Sequence, residues 1–180
     1  ILTGGLDVEF SDPRTYAYYN AAFYYDSTGA RDPSAAYRKH YLVPVVERVP
    51  FIPPQWIHLK WFGGFGKGER LPVYGRPGAR FGVLICYESA FEDLPGAYRR
   101  RGADFLVNIT NDAWFGRTSA PYQHESMLRM RAIEARMGVA RAANSGISEF
   151  VDPFGRAHDA TQLGTEAIVV DQGRTSDVTT

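Results

Sequence analysis

The chain of 180 residues contains one cysteine, Cys86, so no internal disulfide and no cysteine-based zinc site is available to it. Neither sign of charge is in excess. Lys+Arg and Asp+Glu number 20 each, which leaves no field to favour nucleic acid or an anionic membrane surface, and no nucleic-acid partner is expected. No apolar run approaches the ~18–20 residues of a membrane span, and no signal-peptide pattern opens the chain. Repeats and low-complexity tracts are lacking as well. The four histidines, His40, His58, His124 and His158, fall in no local pattern that points to Cys86, and no metal is expected.

What is present is the material of one ordinary globular domain. The length and a hydrophobic content of 44% suffice for a packed core. Eleven Tyr and eleven Phe suit a β-rich, loop-rich protein and argue against disorder.

Residues 1–10 alternate enough to form a strand, and 16–25 (YAYYNAAFYY) read as an aromatic strand beside it, ending in a DSTG turn. Residues 35–49 are mixed, with Pro44 interrupting any helix. Over 50–78, Gly and Pro are too dense for a long regular element, and the segment is expected to be a long loop. Trp56, Trp61, Phe62 and Phe65 lie in it. Either these aromatics fold back onto the core, or the loop is a lid or membrane-facing flap, since Trp and Phe without helical period suit an interface.

The stretch RFGVLIC predicts a buried strand, EDLPGAYRRRG a short helix capped by Gly102, and ADFLVNIT a second buried strand. This is a βαβ unit with parallel strands. After the turn-rich NDAWFGRTSAP, the spacing of Met127, Met130, Ile133 and Met137 predicts an amphipathic helix over about 121–138. The remainder reads as hairpins around DPFG, closing with a strand at EAIVVDQ.

In open α/β sheets, reactive groups collect where strands end. A lone Cys is most commonly a small buried hydrophobe, but Cys86 ends an apolar strand just before Tyr87 and Glu88, with a helix to follow. A sharp strand-to-helix turn there favours thiolate and offers the Tyr87 N–H as an oxyanion donor.

YRKHYLVPVVERVPF, GVLICYESAF, NITNDAWFG, QHESMLRMRAIEARM and RAANSGISEFVDPFG, in that order and spacing, resemble the nitrilase (carbon–nitrogen hydrolase) superfamily. The likeness runs over about residues 1–172 and is nearest its apolipoprotein N-acyltransferase branch. The resemblance implies an α/β (α+β) fold, the nitrilase-like α-β-β-α sandwich, with its first strand or strands missing from residues 1–180. Of the family's Glu-Lys-Cys triad, it implies Cys86 as nucleophile and Lys39 as oxyanion-stabilising lysine, with Glu47 as the second, supporting glutamate. Tyr87 and Glu88 match positions that the branch also requires. The family's general-base Glu lies upstream of ILTGG, and its flanking membrane helices are absent, so the chain alone is expected to be inactive.

The implied activity is transfer of a fatty acyl chain through a Cys thioester, without cofactor. The donor is a phospholipid, and the acceptor is the N-terminal amine of a diacylglyceryl lipoprotein. The implied place is the membrane surface on the periplasmic side of a bacterial inner membrane. Two other readings stay open at this stage: a soluble nitrilase-family amidase, and a non-catalytic binding domain with a structural Cys.

Overall fold

The computed structural model describes residues 1–12, 15–31, 35–47, 64–76, 78–172 and 175. The chain divides into two compact units, Ile1–Pro72 and Val73–Thr180.

In the first unit, β1 (Leu2–Asp12) and β2 (Thr15–Tyr24) pair antiparallel, Leu2 opposite Tyr24 and Phe10 opposite Tyr16, with a bulge between Phe10 and Asp12. The expected neighbouring strands are therefore present. The short β3 (Tyr37–Arg38) adds to the other edge of β2, pairing Ala21 with Arg38 and Ala22 with Tyr37. Ala21, Ala22, Phe23 and Tyr37 are buried, so the core of this unit gathers where β3 meets the end of β2. Toward the bulge the pair is exposed, and Tyr16 packs edge-on against Phe10 and Tyr18.

The second unit is a six-stranded sheet in the order β4-β5-β6-β7-β8-β9. Its elements are β4 (Tyr74–Arg76), β5 (Ala79–Ile85), α1 (Asp93–Arg100), β6 (Phe105–Thr110), α2 (Ala120–Ala135), β7 (Gly138–Ala143), β8 (Glu149–Val151) and β9 (Ala157–His158). β5, β6 and β7 are parallel, joined by crossovers through α1 and α2, and the remaining pairs are antiparallel. The βαβ expectation holds, and a second crossover repeats it. Buried Leu94, Pro95 and Tyr98 seat α1 on the sheet. The Tyr98 ring carbons come within 2.3 Å of where a Cβ on Gly82 would stand, so only glycine allows this approach of helix and strand. Past α1, Gly102 takes φ +80, the left-handed stop its position suggested.

Two expectations need correction. Three of the four apolar positions that predicted α2 lie off its buried face, Met127, Met130 and Ile133 being 41–51% exposed, and the fourth, Met137, is buried but past the helix end. Its buried residues are Pro121, His124, Glu125, Leu128, Ala132 and Ala135. Hydrophobic period located the helix but misjudged its orientation, because two of its inward residues are polar and held by partners in the fold. The strand expected at EAIVVDQ is not formed, and Ile168 and Val170 are exposed. An alternating run becomes a strand only where a sheet edge offers ladder partners. The mixed α/β class itself is as expected, with two sheets and two α-helices among the described residues.

Candidate active site

Cys86 is the first residue past β5 and opens a 3₁₀ turn, Cys86–Ala90. Its φ is +51, a left-handed conformation that costs a non-glycine residue about 1–2 kcal/mol and persists only when its surroundings impose it. Three contacts impose it. The Ile85 N–H donates to Glu88 Oε2 at 2.7 Å, the Ser89 hydroxyl donates to the Cys86 carbonyl at 3.1 Å, and His124 Nε2 lies 3.1 Å from that same oxygen. Glu88 and Ser89 are fully buried, whereas the thiol is half-buried and free, and Tyr87 is exposed with its ring edge-on to Phe91.

Behind this elbow lies a polar cluster drawn from β6, the turn after it, α2 and β7. His124 Nδ1 is 3.0 Å from Asp112 Oδ1, and Arg141 donates to Asp112 Oδ2 at 2.7 Å, to Asn108 Oδ1 at 2.6 Å and to the Ile147 carbonyl at 3.0 Å. Asn108 in turn donates to the Leu84 carbonyl, and Thr110 to Asp112 Oδ1. Parallel register sets Asn108 beside Arg141 across β6 and β7, so sheet pairing aims both side chains at one place. Gly146 makes room, since a Cβ there would lie 2.2 Å from Asp112 Oδ2. Burial pushes the Asp112 carboxyl up, but the hydrogen bond from His124 and the charges of Arg141 and His124 outweigh it and hold the group below its ordinary value.

The other catalytic candidates lie in the first unit. Lys39 is fully buried, and its ammonium bridges Glu47 Oε1 at 3.0 Å and Oε2 at 2.8 Å. Glu47 also accepts from the Asn20 side chain at 2.9 Å and the Val43 N–H at 2.7 Å, and its own N–H donates to the Val43 carbonyl. The turn that returns Glu47 to Lys39 passes Val45 at φ +69, a strained conformation for a β-branched residue. Glu9, in β1, is an ion-pair partner of Arg38 at 2.6 Å.

Trp56, Trp61 and Phe62 lie outside the described residues. Phe65 is half-buried and tied to the first unit, its N–H donating to the Glu47 carbonyl at 3.2 Å and its backbone bridging Tyr18. Among the described residues no group of three or more His, Cys, Asp and Glu is placed to hold a metal ion. Sequence reasoning left His124, Asp112, Asn108 and Arg141 without roles. The available signal was their place in NITNDAWFG, QHESM and RAANSG, but nothing in the spacing joins these segments.

A buried acid pair adjoins the cluster. Both Glu149 oxygens are buried without a hydrogen-bond donor, and Arg129 Nη2 approaches only to 3.8 Å. Burial first, then the adjoining Glu125 carboxyl, push the Glu149 carboxyl up to about 8 against the pull of Arg129 and Arg141. The folded protein thus holds a proton that the unfolded chain releases near the ordinary carboxylate value. That contribution is complete below about pH 4.5 and is lost as pH rises through about 8. Glu149→Gln should therefore flatten the decline in stability between about pH 5 and pH 8, by up to about 1.4 kcal/mol per pH unit. Urea midpoints of the two proteins across that range test this, and parallel curves would refute it.

A strand-end thiol on a strained elbow, in a parallel-centred sheet with crossover helices, defines the class. The model of the carbon-nitrogen hydrolase family matches residues 1–178, and the chain belongs to that family. Its sequence is similar to two proteins named apolipoprotein N-acyltransferase. One, from Geobacter metallireducens, is 40% identical over 161 residues, covering 88% of this chain and 30% of that protein. The other, from Bradyrhizobium diazoefficiens, is 38% identical over 183 residues, covering 94% and 32%. The chain thus spans about a third of the length of these relatives.

Among solved structures, Nit3 of Saccharomyces cerevisiae, a nitrilase-superfamily member, aligns with TM-score 0.65 at 23% identity, over 91% of this chain and 56% of that one. An amidase from Nesterenkonia sp. aligns with TM-score 0.63 at 23% identity, over 91% and 57%. These two likenesses concern the fold.

Proposed function

We propose that this chain is the thiol-bearing part of an apolipoprotein N-acyltransferase, which moves a fatty acyl group from a phospholipid to the N-terminal amine of a diacylglyceryl-modified lipoprotein. The observation that carries the reading is 40% identity over 161 residues to a protein of that name, in a chain whose lone cysteine occupies a strained elbow.

In this mechanism the Cys86 thiolate attacks the ester carbonyl of the phospholipid. The Lys39 ammonium and the Tyr87 N–H stabilise the oxyanion, and Glu47 charge-balances and orients the lysine. The tetrahedral intermediate collapses as the general base returns the proton it took from the thiol to the alcohol oxygen of the departing lysophospholipid, and a thioester remains on Cys86. The lipoprotein amine then attacks the thioester, loses a proton to a general base and departs as the amide, while the thiolate is restored. No residue of this chain is assigned as that base, and no cofactor takes part.

The place of action is the periplasmic side of a bacterial inner membrane, with the aromatic residues Trp56, Trp61, Phe62 and Phe65 admitting acyl chains. Among the described residues no helix is long and apolar enough to cross a membrane.

The test is intact-mass and peptide mass spectrometry of the full protein after exposure to phospholipid vesicles. One long-chain acyl group should appear on Cys86 and leave when a diacylglyceryl peptide with a free amine is added. A thiol that stays unmodified while a small amide is hydrolysed would move the reading to the amidases. A thiol that is also slow to react with iodoacetamide would move it to a binding domain with a structural cysteine.

A further inference from the structure

We infer that His124 is a positioning residue for the oxyanion donor: by holding the Cys86 carbonyl inward, it turns the Tyr87 N–H outward to face the reacting carbonyl. The inference rests on Cys86 being an acyl-accepting nucleophile, whatever the acyl donor.

The carbonyl of Cys86 and the N–H of Tyr87 belong to one trans peptide unit and point in opposite directions. Whatever fixes the carbonyl therefore fixes the N–H. Two side chains fix it, the Ser89 hydroxyl and His124 Nε2, each 3.1 Å from the oxygen. A carbonyl oxygen only accepts, so in this contact Nε2 carries a proton and donates it.

The other ring nitrogen is partnered in either protonation state. Nδ1 lies 3.0 Å from the Asp112 carboxylate and 3.2 Å from Arg141 Nη2. As N–H it donates to Asp112, and as a bare nitrogen it accepts from Arg141. The charged groups facing the imidazole are Asp112, from the turn after β6, and Arg141, from β7, while the Phe115 ring meets it edge-on at 5.7 Å. Asp112 is anchored independently by Thr110 and Arg141, so the imidazole is braced from behind against an element that does not depend on it.

Alkylation and acylation of one thiol separate positioning from mere structure. Alkylation by iodoacetamide develops no oxyanion, whereas acylation by p-nitrophenyl butyrate does. In the full protein, His124→Leu should lower the rate of Cys86 acylation at least tenfold while alkylation changes less than threefold. His124→Gln, whose amide nitrogen reaches where Nε2 stands, should restore most of the acylation. Ser89→Ala, which removes the second clamp, should lower the same ratio in a protein whose buried cluster is intact. In the wild type, ¹⁵N–¹H correlation spectra of the ring should show a proton on Nε2.

Equal loss of both reactions in His124→Leu and Ser89→Ala, or unchanged acylation in both, overturns the inference, as does a wild-type thiol that the ester fails to acylate. Acylation by the ester but not by phospholipid overturns the acyltransferase reading and leaves this one standing.

Discussion

Lys39→Met should abolish most acylation of Cys86 in the full protein, lowering its rate by about 10²–10³-fold, the effect expected for losing one preorganised oxyanion-stabilising group. Lys39 is buried against Glu47 with both carboxylate oxygens engaged, so the substitution also strands a buried carboxylate and should cost stability. The two consequences separate in the double variant Lys39→Met/Glu47→Gln. There the uncompensated charge is gone, so the urea midpoint should recover much of its loss while acylation remains depressed. Lys39→Arg should not rescue the activity, because a planar guanidinium does not occupy the place of a compact ammonium. Acylation at the wild-type rate in any of these variants would remove Lys39 from the mechanism.

The largest expected loss of stability belongs to Arg141→Met. Arg141 and Asp112 are fully buried and 2.7 Å apart, and the same guanidinium satisfies Asn108 and the Ile147 carbonyl. Removing it leaves Asp112 Oδ2, Asn108 Oδ1 and the Ile147 carbonyl inside the protein without that donor, which costs about 3–5 kcal/mol. Urea denaturation should show this as a lower midpoint with an unchanged slope. Because Asp112 braces His124, the ester-to-iodoacetamide rate ratio should fall in the same variant. A loss below about 1 kcal/mol would show that water or a neighbouring group replaces the guanidinium.

These two residues were not equally legible in the sequence. Lys39 was singled out through the resemblance carried by YRKHYLVP and VVERVP, and the structure pairs it with Glu47. The turn at Val45 that unites them has no sequence signature, because a β-branched residue in the left-handed region is the opposite of what turn chemistry suggests. The turn at Cys86 was legible from its position, since a buried strand that stops at a polar pair must turn there, while its role came through the resemblance. Arg141 was invisible. It stands in a strand of small residues, GVARAA, and only its pairing opposite Asn108 shows that it points at the elbow.

Helix α2 shows the same limit from the other side. Apolar period found the helix, yet its Met127, Met130 and Ile133 are exposed and its buried residues include His124 and Glu125. Period measures where burying carbon is favourable. A polar side chain with a waiting partner is just as acceptable inside, and the partner lies on another element.

The leading strand pair, the parallel pair around α1, and a cysteine at the end of β5 were legible in the sequence itself. Each follows from local matters: apolar runs, chain-breaking glycines, and a polar pair after a strand. Which polar groups stand behind the thiol was decided only by the tertiary structure. Asn108, Asp112, His124 and Arg141 come from separate segments, and strand register, a short turn and one face of a helix bring them together. Hydrogen bonds between distant segments depend on distance in space, and a one-dimensional pattern does not carry it.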